Sequence, residues 1–577
     1  MELKKIQELF NQNRFIIPNY QRGYAWEYEQ VNDFITDIRD AADLDEHYTG
    51  QIIVASKKQE ILGTVSYDVY EVVDGQQRLT TVSLYILCVC NRLKQIGQDP
   101  ERILDNVMYK GTPILKLNDD NDDFYRNEIL GSENVTLEPR YDNKSQRNLF
   151  NAKKLITNHL ETFRNKDKLL SEYQTMMHKF KVNFSVLTSQ LEAGLVFETM
   201  NDRGIALNQM DKVKNYLIYL CGRLKDKKLA KIISDNYSKV FSELMKIETT
   251  NIAKSEKTEK TEKIEDDFLS CSYFLFIGKI FKDNVHQHIK TEFLPKKEVI
   301  KKTKQTELNF KDDTTLSKHH QNIKKLADFL GDSAKVYASI FNCSFKNEQI
   351  NEYLQRIHFL SATDKHSRLL LSLFINKSEQ NLISVLELVE IIVFRCKKQP
   401  NTNELALDIQ KSPNEYSIKK IRDELKVIIQ KYCSDKSFVE MLKSNDFYED
   451  TKNSNKATYF FYEYELSLSK QKNTENRLPS FEIFCRQNYS RFETEHIDPQ
   501  QPHGRKPLEN VNQLGNLTAT YSNKNLNNKE FSDKKNIFKQ SKLNVEKELI
   551  AFDKWDEQTI KKRTDELVKF AKKRWGV

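Results

Sequence analysis

The chain has 577 residues, with 91 Lys and Arg against 83 Asp and Glu, a formal charge of +8 and a mean hydropathy of −0.67. That length exceeds one hydrophobic core and predicts about three or four domains. No apolar run approaches the roughly 20 residues of a membrane span, and the opening MELKKIQELFNQN lacks the apolar core of a signal peptide, so a cytoplasmic protein with no membrane partner is expected. The modest positive charge permits a nucleic-acid partner without demanding one. Eight cysteines, of which only Cys88 and Cys90 lie close together, fit neither a disulfide framework nor paired zinc ligands. They are expected to be mostly buried thiols.

In chain order, Ile17 to Trp26 (IPNYQRGYAW) reads as extended, because Pro18 biases Ile17 away from helix. From Glu29 to Ile38 the apolar residues Val31, Phe34, Ile35 and Ile38 share one helical face. Tyr70 to Val73 reads as a buried strand running into Asp74-Gly75-Gln76-Gln77-Arg78, and Leu79 to Leu93 as an apolar helix. A strand, a glycine turn and a helix start form an anion site, because free N–H groups and the helix dipole face the ligand. Arg78 could add a bidentate phosphate contact, and Asp74 could hold a metal or orient a water. No Walker P-loop pattern occurs, and from spacing alone a polar helix cap is the better reading of the turn.

Thr249 to Asp267 (TTNIAKSEKTEKTEKIEDD) is nearly devoid of apolar residues and is expected to be an exposed loop or a frayed helix. From Phe268 to about Cys433 the pattern is helical, as in Ile323, Leu326, Ala327 and Leu330. His286, His288, His319 and His320 lack carboxylate or cysteine partners at ligand spacing and are read as surface residues. Tyr459 to Leu468 is an aromatic-rich helix. Trp555 to Trp575 reads as an amphipathic helix, with Ile560, Leu567, Phe570, Ala571 and Trp575 on one side and Lys and Arg opposite.

The most informative stretch is Phe492 to Lys534. Arg491 to Ile497 alternates like a strand, Pro499 to Pro507 is a Pro- and Gly-bearing loop, Leu514 to Tyr521 is a second strand, and a polar helix starts at Asn523. The order strand, loop, strand, helix predicts a ββα-metal unit. His496 can take a proton from water, while Glu495 and Asn525 offer the hard oxygen ligands that Mg²⁺ or another divalent cation prefers. Singly, each residue is better read as part of a surface pair or a cap. In this order they point to one-metal phosphodiester hydrolysis. Lys524, Lys529, Lys534, Lys535, Lys539 and Lys542 form a basic row that could track DNA phosphates, Lys524 and Lys534 lying nearest the candidate site.

These motifs carry a resemblance. The E-H-I-x-P opening, the L-G-N-L-T strand and Asn525, nine positions after Asn516, resemble the HNH nuclease domain of GmrSD-type modification-dependent (type IV) restriction enzymes. The resemblance implies His496 as base, Glu495 and Asn525 as metal ligands, Asn516 as the residue that holds the base loop, and Lys534 as the family's later lysine. IPNYQRGYAW, VVDGQQRLTT and Phe197 to Leu207, with Asp211, Lys214 and Asn215, are similar to the ParB-like N-terminal domain of the same enzymes. What that implies is binding, and often hydrolysis, of a nucleotide (GTP or ATP) at Asp74, Gly75, Gln76, Gln77 and Arg78, with modification sensing near Tyr20, Gln21 and Arg22.

The expected fold is α+β, multidomain and predominantly helical: a ParB-like α/β domain at 1–225, a helical spacer at 226–435 containing the charged loop 249–267, and a ββα-metal (HNH) nuclease domain at 436–577. The expected function is a modification-dependent DNA endonuclease in anti-phage defence, regulated by nucleotide. Its partners would be DNA, above all modified phage DNA, and a nucleotide; a homodimer is compatible with the sequence. Two alternatives stay open, an RNA-directed HNH nuclease or toxin and a non-cleaving, nucleotide-regulated DNA-binding protein.

Overall fold

A computed structural model describes residues 2–132, 137–187, 208–224, 226–247, 261–281, 284–294, 314–360, 363–452, 454–472, 478, 481, 484 and 492–577. The Phe197 to Leu207 motif lies outside them. The fold is mixed and predominantly helical. Two compact units divide the chain, residues 1–247 with 259–338, and residues 339–577 with 248–258.

The helices of the expected spacer at 226–435 divide between these two units. In the first unit Lys227–Met245 packs on Gln209–Arg223 and on Thr261–Ile277. In the second, Glu379–Arg395 packs on Glu348–Phe359 and Ile418–Cys433. Its buried Glu390 accepts from Tyr459 Oη at 2.7 Å and from Trp575 Nε1 at 2.8 Å.

The first unit is built on a mixed sheet. Its strands are β1 (Glu2–Lys5), β2 (Asn13–Ile16), β3 (His47–Leu62) and β4 (Val65–Asp74), then, after a small hairpin of β5 (Met108–Tyr109) and β6 (Thr112–Pro113), β7 (Leu115–Lys116) and β8 (Phe180–Leu187). The sheet order is β1-β8-β3-β4-β2-β7. β2 runs parallel to β4 with Ile16 opposite Glu71, so the chain leaving β2 passes the end of β4, where the Asp74 turn begins.

That turn needs its glycine. Gly75 has φ +86°, and a Cβ there would lie 2.8 Å from Gln51 O and 2.9 Å from Ile52 Cγ1. The helix that follows, Gln76–Gln95, buries Leu79, Val82, Leu84, Tyr85, Ile86, Leu87, Val89 and Leu93, so it is apolar on nearly every side. Such a helix belongs in a core, and it packs between the sheet and helices Lys144–Leu160 and Lys166–Lys179.

The charged stretch departs from expectation. Residues 249–260 lie outside the described ones, but Thr261–Ile277 is a helix, and within it Glu265 is 1% exposed. Periodicity explains the difference: Ile264, Phe268, Leu269 and Cys271 are buried and anchor the turn that carries Glu265.

In the second unit β9 (Glu493–His496) pairs antiparallel with β10 (Leu517–Thr520), placing Leu517 opposite His496 and Thr518 opposite Glu495. Helix Lys456–Gln471, rich in aromatic residues, packs against both strands, and Thr458 Oγ1 meets Thr494 Oγ1 at 3.2 Å. Helix Glu557–Trp575 passes so close to the turn at Leu514–Asn516 that a Cβ on Gly515 would lie 2.1 Å from Ile560 O. This helix does not keep all its cations outside. Arg563, 3% exposed, donates to Gly515 O at 2.8 Å and Leu517 O at 2.6 Å.

The polar helix expected from Asn523 is broken. Asn523–Leu526 makes one turn, Asn527 adopts φ +40°, and helix resumes only at Phe531–Gln540. Asparagine tolerates a positive φ better than most residues, so the Asn-rich run permits the break. Among the described residues, seven cysteines are free, six of them buried, and no helix is long and apolar enough to cross a membrane.

Candidate active site

Asn516 organises the loop between β9 and β10. Its Oδ1 accepts from Asp498 N at 2.8 Å and from Trp555 Nε1 at 2.8 Å, while its Nδ2 donates to Asp498 O at 2.9 Å and Val511 O at 2.8 Å. All four bonds are made by a side chain with no exposed surface. Ile497 N donates to Asn516 O at 2.7 Å, so one residue fixes the chain just beyond His496 through backbone and side chain.

Glu495 and His496 line a cleft of about 430 Å³ together with Pro499, Gln500, Asn523, Lys524, Asn527 and Asn528. His496 Nε2 lies 3.2 Å from Asn512 Oδ1, and the Tyr448 ring stands edge-on to the imidazole at 4.5 Å and 75°. Burial depresses the His496 pKa to about 4, with the Asn512 hydrogen bond opposing the fall and Lys534 adding to it. The imidazole is thus neutral at pH 7 and able to accept a proton.

Glu495 Oε1 accepts from Lys534 Nζ at 2.6 Å, and the same Nζ donates to His496 O at 2.5 Å. Burial raises the Glu495 carboxyl and Lys534 pulls it back. Lys534 has no exposed surface, so it is not in the solvent-facing row read from the sequence. Its place one turn into Phe531–Gln540 turns it inward, whereas Lys524 is exposed at the cleft. Asp498 Oδ1 meets Arg505 Nη2 at 2.5 Å, and Arg505 Nη2 also meets Glu530 Oε2 at 2.7 Å, tying the 499–507 loop to the start of Phe531–Gln540.

Asn525 is exposed and does not line the cleft. Asn523, Asn527 and Asn528, on either side of the break and at it, line the cleft instead. Asn523 Nδ2 also donates to Glu493, two residues before Glu495 on the same strand. Among the described residues no group of three or more His, Cys, Asp or Glu is poised for a metal. A site made from one carboxylate and neutral carboxamides forms no such group. Its hard, oxygen-rich donors fit Mg²⁺.

In the first unit the sequence motifs converge. Gln21 Nε2 donates to Val73 O at 2.7 Å, and Gln21 Oε1 accepts from Lys214 Nζ at 3.2 Å. Lys214 also bonds Asp211 at 3.2 Å and stands 5.7 Å from the centre of the Tyr20 ring. Arg22 lies 3.7 Å from Glu265, which also accepts from Asn208 Nδ2. Burial would raise Asp211, but Lys214 and Arg22 hold it below its usual value. For Glu265 burial wins over Arg22 and lifts the carboxyl to about 8.

Within the turn, Asp74 accepts from Gln51 Nε2 at 3.1 Å, and burial raises its carboxyl. Arg78 Nη1 donates to Gln51 O at 3.0 Å. Gln77 ties the turn to the extended segment, accepting from Ala25 N at 2.8 Å and donating to Gly23 O at 3.0 Å. Gln76 is buried beside the helix start.

Four residues of these sites were not singled out in the sequence. Asn512 and Tyr448 carry no local signal, Asn528 was hidden by an assumed continuous helix, and Glu265 lay inside a charged repeat. The histidines of the middle region are not all surface residues as expected, since helix packing buries His288 and His319. His288 bonds Tyr273 at 2.8 Å and His320 pairs with Asp226 at 2.9 Å.

Two catalogued domains cover more than half of the chain. Residues 6–218 match the GmrSD restriction endonuclease N-terminal domain, and residues 432–570 match the GmrSD restriction endonuclease C-terminal domain. The protein is a restriction endonuclease, with DNA as its partner. The chain belongs to the GmrSD-type restriction endonucleases. No curated protein matches it.

Proposed function

We propose that the second unit is an HNH nuclease that hydrolyses DNA phosphodiesters with His496 as general base. The observation that carries this reading is the neutral imidazole of His496 beside the Glu495 carboxylate, in a cleft otherwise walled by carboxamides. Glu495, with Asn523 and Asn528, would hold a divalent cation, in preference to the exposed Asn525. The cation, when bound, supplies charge neutralisation on the scissile phosphate. His496 takes the proton of a water whose oxygen bonds to phosphorus as the bond to the leaving oxygen breaks. Asn516 and the Asp498–Arg505 bridge keep the base loop in position, and Lys524 contributes a phosphate contact.

For the first unit we infer a ParB-like domain that binds and hydrolyses a nucleotide, GTP or ATP, at the Asp74–Arg78 turn. Detection of a DNA modification would lie near Tyr20, Gln21 and Arg22. Gln21 supports a link between the two functions, because it bonds both the strand leading into the turn and Lys214. The charged groups there, Arg22, Arg78 and Lys214 with Asp74 and Asp211, stand near a helix start and suit a nucleotide with its metal. In this reading nucleotide state governs cleavage of modified phage DNA by a cytoplasmic defence enzyme.

The test is Mg²⁺-dependent cleavage of unmodified plasmid and of modified phage DNA, with and without nucleotide, by the wild type and by His496→Ala. Cleavage of modified DNA alone, absent in the variant, is expected. Equal cutting of plasmid removes the modification sensor, indifference to nucleotide removes the coupling, and cleavage of RNA alone redirects the nuclease.

A further inference from the structure

The proposed base has two ring nitrogens, and only one can be the acceptor when the ring is neutral. Asn512 decides which. Its Oδ1 receives Gln500 Nε2 at 2.7 Å and faces His496 Nε2 at 3.2 Å. An amide oxygen only accepts, so the hydrogen between it and His496 must be on Nε2. The lone pair is then on Nδ1.

Asn512 is held for this task from two sides. Its backbone carbonyl accepts from Tyr448 N at 3.0 Å, and Tyr448 is the residue whose ring packs edge-on to His496. Gln500 donates to the same Oδ1 and itself lines the cleft, which orients the Asn512 amide with its oxygen toward the imidazole. The Glu495 carboxylate is engaged by Lys534.

We propose that Asn512 is a positioning residue of the nuclease, fixing His496 as the Nε2–H tautomer so that Nδ1 is the nitrogen that takes the proton from water. This rests on the reading of His496 as base. Tyr448 and Gln500 serve the same arrangement, Tyr448 by holding the Asn512 backbone and Gln500 by holding its amide.

The test uses the full chain with ¹⁵N-labelled histidine, the His496 signals being assigned by their loss in His496→Ala. The wild type should show protonated Nε2 and unprotonated Nδ1 at pH 7. In Asn512→Asp the carboxylate should keep that tautomer but raise the His496 pKa by about 1–3 units, moving the acid limb of kcat upward by the same amount. Asn512→Ala should mix the tautomers and lower kcat about tenfold or more with little change in KM. A wild-type signal from Nδ1–H, or an Asn512→Asp pKa equal to wild type, overturns the proposal whatever the activity. If the tautomer and pKa behave as expected but His496→Ala still cleaves DNA, Asn512 does position His496 and the base assignment alone fails.

Discussion

Lys534 and Glu495 form a buried ion pair at 2.6 Å between residues 39 positions apart, and the lysine has no surface left to offer DNA. The pair gives the cleft a carboxylate whose charge is partly balanced before any cation or phosphate arrives. It also ties Phe531–Gln540 to β9, since the same Nζ holds His496 O. Glu495 therefore depends on Lys534 both for its ionised state and for its position.

Removing the lysine leaves a buried carboxylate without its cation, which costs about 3 kcal/mol or more. Lys534→Ala is expected to lower the unfolding free energy by that amount in denaturant titration and to abolish cleavage. Lys524→Ala should leave stability unchanged and weaken DNA binding in a salt-dependent way. Equal loss of stability in both would mean that Lys534 is not buried in solution.

The break at Asn527 predicts which asparagine matters. Asn528→Ala should slow cleavage about tenfold or more, the loss of a contact worth roughly 1.4 kcal/mol, and should raise the Mg²⁺ concentration needed for half-maximal rate. Asn525→Ala should behave as wild type. The reverse outcome would restore the ligand expected from the sequence.

The acid limb of the pH profile has a definite sign. In the proposed reaction both His496 and Glu495 are deprotonated, so activity is expected to be lost as pH falls and not as it rises. With His496 near 4, the imidazole's own contribution to that limb lies well below the ordinary value of 6.5. At pH 6 the wild type should therefore retain nearly all of its base form, where an unperturbed histidine would retain about a quarter. A ¹⁵N titration of the His496 ring with its midpoint near 6.5 would contradict the buried, neutral ring.

Glu265 gives the first unit a pH-dependent stability of opposite character. Its folded pKa, about 8, lies above the ordinary 4.5, so the folded state holds the proton more tightly. The stabilisation is complete below 4.5 and is lost as pH rises through about 8. Glu265→Gln mimics the protonated form. Thermal unfolding should show the variant gaining on the wild type as pH increases from 5 to 8.5, and parallel curves would mean that Glu265 is already ionised at low pH.

How far the sequence was legible depended on whether a residue's role was local. The closeness of His496, Glu495 and Asn516 was legible because strand pairing over a few residues brings them together. Asn525 was expected at the cleft and Asn528 was not, because helical periodicity was carried through Asn527, where the chain takes a positive φ. Lys534 was read as a surface cation because nothing in FSDKK marks which lysine turns inward; that depends on packing against β9. Glu265 and Asn512 were invisible for a related reason. Their partners lie on other elements, Arg22 far back in the chain and His496 across a loop, and composition carries no trace of such meetings.

The division of the chain also sets an order in time. All but a short segment of the second unit lies after residue 338, where the first unit ends. During synthesis the first unit can leave the ribosome and close its core before the base, its carboxylate neighbour or Lys534 has been translated. The proposed regulator is therefore translated ahead of the residues proposed to cut DNA.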